Sequence, residues 1–326
     1  MDHKLREKFF AELDKEKMEL LDPMTKMLDK KFSKEINCPL CEAKKDRHTL
    51  LFLKDGYTFV RCETCEMIYT NPQVDSELLG ELYGESKSED IWVELQESAE
   101  EQVWKKEYYQ DNLDLISKFT DSNQTRLMDI GCNNGYFLDI LRLYMPSILG
   151  TGLELSKKAF AYAQSKGLEV HNCFLNELNQ ELSYDIFTLN GVLEHIPNPS
   201  QLLTDIKNKA NENAIIFAIV PNSYSLYHMF LQSRSVSFDG RDHLLYFSEK
   251  TLKKLFEKNG FEVLNIDTVL TGLTDIKKHI QWMDPYKNEV TDRYLNQQLL
   301  SDYLNEEYIL ENNLGLRLRI IEKLKN

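Results

Sequence analysis

Four of the six cysteines fall in two C-x-x-C pairs, Cys38-Pro39-Leu40-Cys41 and Cys62-Glu63-Thr64-Cys65, separated by twenty residues. Two such knuckles can bring four thiolates onto one tetrahedral ion, and a four-sulfur donor set at this spacing selects Zn²⁺. Cysteine fills all four positions and leaves no open coordination site, so the expected metal is structural and not catalytic. A second arrangement with chemical potential lies at residues 126–141, which read R-L-M-D-I-G-C-N-N-G-Y-F-L-D-I-L. Gly131 and Gly135 let the backbone bend sharply and let a ligand approach it, and the free N–H groups of a following helix favour an anionic group. A nucleotide-like ligand is expected there. A dinucleotide fingerprint starting at Gly131 would need glycine where Asn133 and Tyr136 stand, and no Gly-Lys-Ser/Thr follows, so both an NAD site and a P-loop are disfavoured.

Three further positions belong with that turn. Glu154 ends the apolar run Leu149-Gly150-Thr151-Gly152-Leu153, twenty-three residues past Gly131, where an acidic side chain can accept hydrogen bonds from both hydroxyls of a ribose; the plainer reading is an exposed glutamate that caps a helix. Asn190 and Gly191 follow the strand-like run at 184–189, at a strand tip that would face a ligand crevice. His195 and His243 could each take a proton from a hydroxyl or amine, since imidazole titrates near neutral pH. His195 could equally orient its loop by hydrogen bonding.

The elements that must position these residues can be read from the periodicity. Short apolar runs at 127–130, 149–153, 167–171, 184–189, 214–220 and 261–269 alternate with helical patterns, which gives a parallel sheet with helices on both faces. The run at 214–220 is almost wholly apolar, as a strand buried on both faces should be. Residues 314–320 alternate with period two and suggest a last, antiparallel strand, a terminal helix being the rival. Between the cysteine pairs, Leu50-Leu51-Phe52-Leu53 and Tyr57-Thr58-Phe59-Val60 form a hairpin turned at Asp55-Gly56. Residues 1–35 hold two short amphipathic helices, before and after Pro23, that pack on the body of the protein or on a second subunit. Helical patterns over 76–119 carry Trp92, Tyr108 and Tyr109, which are core aromatics before they are site residues. A polar helical insertion with Trp282 spans 276–313. The expected organisation is N-terminal helices (1–35), a zinc ribbon (36–75) and one large α/β domain (76–326).

The 326 residues are 42% hydrophobic, enough for a sizeable core, and carry a formal charge of −14 that would repel a phosphate backbone. Nucleic acid is therefore an unlikely partner, and no apolar run approaches a membrane span. A charged start, Met1-Asp2-His3-Lys4, and reduced cysteines point to the cytoplasm.

The turn at Asp129, Gly131, Cys132, Asn133, Gly135, Tyr136 and Phe137 resembles motif I of the class I S-adenosylmethionine (SAM)-dependent methyltransferases, with Asn133 in place of the middle glycine. Gly152-Leu153-Glu154-Leu155-Ser156 resembles motif II. The segment Tyr184-Asp185-Ile186-Phe187 leading to Val192-Leu193-Glu194-His195, and His243-Leu244-Leu245-Tyr246-Phe247-Ser248, are similar to later stretches of the same family, type 11/23. The resemblance implies a Rossmann-like seven-stranded, mostly parallel sheet. It places the methionine end of SAM on the motif I turn, the ribose on Glu154, the adenine near Leu155 and Phe174, and the sulfonium near Asn190 and Gly191. The acidic residue that family members commonly offer to adenine is replaced here by Cys173-Phe174-Leu175. The implied activity is methyl transfer to oxygen, carbon or nitrogen of a small, sugar-like acceptor, with His195 and His243 as base candidates and a homo-oligomer possible. An RNA-modifying enzyme recruited by the ribbon, and a non-catalytic SAM-binding scaffold, are the alternatives.

Overall fold

The computed structural model of the chain describes residues 3–121, 123–178, 182–274, 276 and 305–325, so most of the expected insertion, Trp282 included, lies outside the described residues. The chain opens with helix α1 (His3–Glu19). The second helix expected after Pro23 does not form. The Asp22 carboxylate accepts the backbone N–H groups of Met24 and Thr25, at 3.0 and 2.7 Å, and Lys26 takes φ 58°, so the chain turns back and Leu21 bridges to Leu28. An aspartate that satisfies two successive amides favours a turn over a helix. Short strand β1 (Ser33–Lys34) leads into the ribbon, where β2 (His48–Lys54) and β3 (Tyr57–Cys62) form the expected hairpin with Asp55 and Gly56 both at positive φ. Strand β4 (Ile68–Thr70) continues that sheet, and β5 (Gln73–Val74) returns to pair with β1.

Three helices follow, α2 (Ser76–Glu85), α3 (Lys87–Gln96) and α4 (Ala99–Ser117), each started by an Asp or Ser side chain that accepts a first-turn amide. The α/β body is then built from β6 (Arg126–Ile130), α5 (Tyr136–Tyr144), β7 (Leu149–Leu153), α6 (Lys157–Ser165), β8 (Glu169–His171), β9 (Tyr184–Asn190), α7 (Pro199–Lys209) and β10 (Ala210–Pro221). After β10 the connection holds α8 (Leu226–Leu231) and a two-residue strand, β11 (Leu245–Tyr246), before α9 (Glu249–Lys258), β12 (Phe261–Val269), α10 (Glu306–Glu311) and β13 (Arg317–Leu324). The seven-stranded sheet runs β12-β13-β10-β9-β6-β7-β8, with β13 antiparallel to both neighbours. The strand order reverses beside β6, where β9 lies on one side and β7 on the other, and the carboxyl ends there open a crevice.

Strand β10 fills both faces of the sheet. Ile215, Phe217 and Ile219 join Leu127, Phe137, Leu138 and Ile186 on the side of α4 and α5, whereas Ile216, Ala218 and Val220 join a second cluster on the other side. That second cluster does not stop at the sheet. It runs on through Phe247 and Tyr246 into Tyr57, Phe59 and Met67 of the ribbon, and β11 pairs antiparallel with β4, so the ribbon shares its core and its sheet with the α/β body. Strand β11 has no counterpart in the sequence reading, because two residues leave no periodicity to detect.

One residue opposes the packing it sits in. Glu322 on β13, opposite Ile216 and Val263, is fully buried and neither carboxylate oxygen has a hydrogen-bond partner. Burial drives its pKa well above the ordinary value, so the folded state binds a proton that the unfolded state releases near pH 4.5. The stability this proton confers is complete below the unfolded pKa and is lost as pH rises. Glu322→Gln should therefore be neutral near pH 4 and stabilising by about 1–3 kcal/mol near pH 7.5, read by urea unfolding at the two pH values; an equal effect at both would show that the carboxyl is not held protonated.

Candidate active site at the carboxyl edge of the sheet

The two cysteine knuckles are built alike. In each, the residue after the second cysteine, Glu42 or Glu66, takes positive φ and its N–H bonds back to the carbonyl of the first cysteine, Cys38 or Cys62, at 2.9 Å. The two turns converge so that Cys38 Sγ lies 3.5 Å from Cys65 Sγ and Cys41 Sγ lies 3.6 Å from Cys62 Sγ, with all four sulfurs within 4.8 Å of one another. A tetrahedron with Zn–S bonds of 2.3 Å has edges of about 3.8 Å, so the donor set fits a four-thiolate zinc centre.

At the sheet edge, β6 hands directly into the turn. Gly131 and Gly135 stand at φ +70° and +75°, and Asn133 holds a left-handed φ of 48° where motif I has its middle glycine, a conformation Asn tolerates. A side chain on Gly131 would sit 2.8 Å from Val192, and one on Gly135 would sit 2.3 Å from Leu168, so neither position admits a larger residue. The N–H groups of Gly131 and Cys132 both donate to the carbonyl of Leu153, at 2.8 and 2.9 Å, which ties the turn across the end of β7. Glu154 is part of the same lock. Its Oε2 accepts the N–H of Asn133 and its Oε1 that of Ser156, each at 2.7 Å. Burial raises the Glu154 pKa, against the pull of those two amides.

Asp129 is buried beneath the turn, where its Oδ1 accepts Thr188 Oγ1 at 2.6 Å and Asn190 Nδ2 at 3.2 Å, and burial pushes its pKa up to about 7. It braces β6 against β9. The Asn190 Oδ1 is buried and unpartnered. Gly191 follows at φ +71°. Cys132 and Phe137 turn their side chains into the core, whereas the Tyr136 hydroxyl donates to the carbonyl of Gln102 on α4 at 2.9 Å. Leu155 and half-exposed Phe174 line a cleft of about 610 Å³ roofed by α2. Gly80 and Gly84, one turn apart, present a face there without side chains. Asn172 does not point freely into that cleft, because its Nδ2 donates to the carbonyls of Glu154 and Leu155 at 2.7 and 2.9 Å.

His195 and His243, forty-eight positions apart, meet with ring centroids 4.7 Å apart at 79°. His195 Nδ1 lies 3.0 Å from the carbonyl of Asp242 and 2.8 Å from the Tyr83 hydroxyl; a carbonyl only accepts, so Nδ1 carries the proton and Nε2 keeps its lone pair. His243 Nδ1 likewise donates to the carbonyl of Ser237 at 3.0 Å. Burial, and then the His243 ring, hold the His195 pKa down to about 3. Beside them Glu194 is buried with Oε2 unpartnered, its pKa raised by that burial.

Several members of this constellation carry no local signal in the sequence. Tyr83 comes from α2, and Trp92, one of the aromatics of the 76–119 stretch, packs on Phe9 of α1 instead. Tyr109 stacks among Tyr108, Tyr136 and Phe137. From α1, Lys17 pairs with Asp239 at 2.5 Å and Glu16 with Arg241 at 2.6 Å, beneath the loop that carries His243. The two ion pairs of α1 join residues more than two hundred positions apart, and Tyr83 meets His195 across 112.

A family model described as a methyltransferase domain matches residues 101–266. No curated protein matches the chain. Among solved structures, the magnesium protoporphyrin IX methyltransferase from Synechocystis PCC 6803, solved with bound SAH, is 13% identical, covers 77% of this chain and 100% of its own, and superposes with a TM-score of 0.51. A plantazolicin methyltransferase, solved with a desmethyl substrate analogue and SAH, is 12% identical, covers 76% and 95%, and gives 0.52. With the glycine turn, the acidic lock on β7 and the reversed strand order meeting at one edge, the chain belongs to the SAM-dependent methyltransferases.

Proposed function

We propose that the protein transfers the methyl group of SAM to a small, polar, sugar-like acceptor, and that a structural zinc ion holds its ribbon. The observation that carries the acceptor reading is the meeting of His195 and His243 with Glu194, whose Oε2 is buried without a partner, close after the strand tip where Asn190 Oδ1 is unpartnered too. A crevice lined by unsatisfied polar groups suits a ligand that brings hydroxyls to them. The two solved structures are named for magnesium protoporphyrin IX and plantazolicin, and a charge of −14 disfavours a polyphosphate partner.

When bound, SAM would supply a methyl group on a sulfonium sulfur, which passes in line to the acceptor atom as the carbon–sulfur bond breaks and the neutral thioether leaves. The residues of this chain hold and orient. The turn 131–136 would offer backbone to the amino-acid end, and Glu154, at the tip of β7, would hold the ribose. Leu155 and Phe174 offer an apolar wall to the adenine. Asn190 and Gly191 would form the floor next to the sulfonium. His195, with Nδ1 fixed by Asp242 and Tyr83, presents Nε2 to the acceptor hydroxyl and takes its proton, and His243 is the second base candidate. Alignment of the reacting atoms can supply about 7–11 kcal/mol of the barrier and a base about 10²–10⁴ in rate, so positioning is the larger share.

Metal analysis of the purified chain should find about one zinc per chain, and chelation should lower the melting temperature of the whole protein in one step because the ribbon shares its core with the sheet; a metal-free chain of unchanged stability would remove the zinc. Glu154→Ala should weaken SAM binding at least about tenfold in calorimetry, a loss the size of one charge-assisted hydrogen bond; unchanged affinity would mean that the ribose lies elsewhere. His195→Ala should lower kcat by about 10²–10⁴ while SAM affinity stays level. Because the working form of His195 is the neutral one and its pKa sits near 3, activity should show no loss through His195 protonation between pH 8 and 5.

A further inference from the structure

We propose that Glu194, His195 and His243 form a binding site for a divalent transition-metal cation, separate from the four-cysteine centre. Each of the three residues offers one ligand atom, and these three atoms lie within 4.8 Å of one another. Both imidazoles are prepared in the manner of metal ligands: Nδ1–H of His195 is held by the carbonyl of Asp242 and Nδ1–H of His243 by the carbonyl of Ser237, each at 3.0 Å. A backbone carbonyl on one ring nitrogen fixes the tautomer and ring orientation and raises the basicity of the other nitrogen. The nitrogen left to ligate is Nε2 in both rings, so ligation and the base role of His195 exclude each other and belong to the ion-loaded and the ion-free chain respectively.

Glu194 supplies the independent observation. It is 3% exposed, and its Oε2 is buried without any hydrogen-bond partner. That oxygen has lost solvent without gaining a donor, and a cation shared with the two imidazoles would supply its missing partner. Its other oxygen, Oε1, lies on the side of Gly191, where a Cβ would come within 3.5 Å of it. The main chain of the three residues is fixed before any ion arrives, because the N–H of Leu244, next to His243, donates to the carbonyl of Glu194 at 2.8 Å.

The donor set narrows the ion. Two imidazole nitrogens and one carboxylate oxygen, with positions left open, suit Fe²⁺, Co²⁺ or Zn²⁺ and suit Ca²⁺ or Mg²⁺ poorly, since those prefer all-oxygen shells. The open positions would face the crevice, where a hydroxylated acceptor could coordinate. Only that last role rests on the methyl-transfer reading; the cation site rests on the three side chains.

Cobalt distinguishes this site from the ribbon. CoCl₂ titrated into protein shown to carry one zinc per chain should give visible d–d absorption at about one cobalt per chain, without the near-ultraviolet thiolate-to-cobalt band that entry into the four-cysteine centre would produce. Glu194→Gln and His243→Asn should each weaken this binding at least about tenfold while zinc content stays unchanged. No d–d band in the wild-type chain, or the same band at the same affinity in both variants, would overturn the site. SAM binding is measured on the same samples. A chain that takes cobalt as described but never binds SAM would refute the methyl-transfer reading and leave the cation site standing, whereas SAM binding without cobalt would do the reverse.

Discussion

The arrangement of the crevice depends on a buried carboxylate that is not itself a candidate ligand or base. Asp239 accepts the N–H groups of Arg241 and Asp242 at 3.0 and 2.7 Å and pairs with Lys17 at 2.5 Å, while Arg241 reaches Glu16 at 2.6 Å. Burial alone would push Asp239 up; Lys17, His243 and the backbone hold it down to about 2. Removing one partner from such a pair strands a buried charge and costs about 3–5 kcal/mol. This loop sets two things at once, the carbonyl of Asp242 that orients His195 and the position of His243. Helix α1 thus belongs to the site mechanically, although it touches neither histidine through any contact described above.

The same stretch ties the four-cysteine ribbon to the α/β body. The N–H of Leu244 donates to the carbonyl of Glu194, and its own carbonyl accepts the N–H of Thr70, at 2.8 and 3.0 Å. A single residue therefore joins the ribbon's β4 to the segment that follows β9. One further residue along, β11 enters the ribbon sheet, and at the far end of α9 the Lys258 ammonium donates to the carbonyl of Leu40 inside a cysteine knuckle at 3.1 Å. A small four-stranded sheet with much of its hairpin exposed would be marginal alone. Joined to the body by this shared core, it becomes a wall beside Glu194 and His243.

Much of this was legible in the residues, for reasons that are local. The cysteine spacing and the apolar run of 214–220 each carry a count or a pattern that favours one element, and the alternation of 314–320 favours the strand that forms from Arg317 over a helix. Asn133 and Gly135 announce a left-handed turn. What the sequence hides is pairing across distance. Nothing near Lys17 or Glu16 points to residues 239 and 241, and the amphipathic look of residues 24–28 conceals that Asp22 ends the helix pattern with its own side chain. Glu194 was visible inside the Val192-Leu193-Glu194-His195 run, yet its lack of a hydrogen-bond partner is a property of its surroundings, which no motif contains.

The floor of the crevice adds a constraint that neither the turn nor the histidines impose. Gly191, at φ +71°, follows β9 with its N–H held by the carbonyl of Ile219 at 2.9 Å, and a Cβ placed on it would lie 3.5 Å from Glu194 Oε1 and 3.8 Å from Arg317 Nη1. Arg317 opens the antiparallel strand β13, so the reversed last strand brings a guanidinium to an edge otherwise made by parallel strand tips. Bare backbone is thereby flanked by a carboxylate and a guanidinium in a place of low dielectric, where each group acts more strongly than in water. A side chain at residue 191 would be strained by its φ and would stand between the two. Glycine there keeps the floor open to a ligand that presents a donor to one flank and an acceptor to the other.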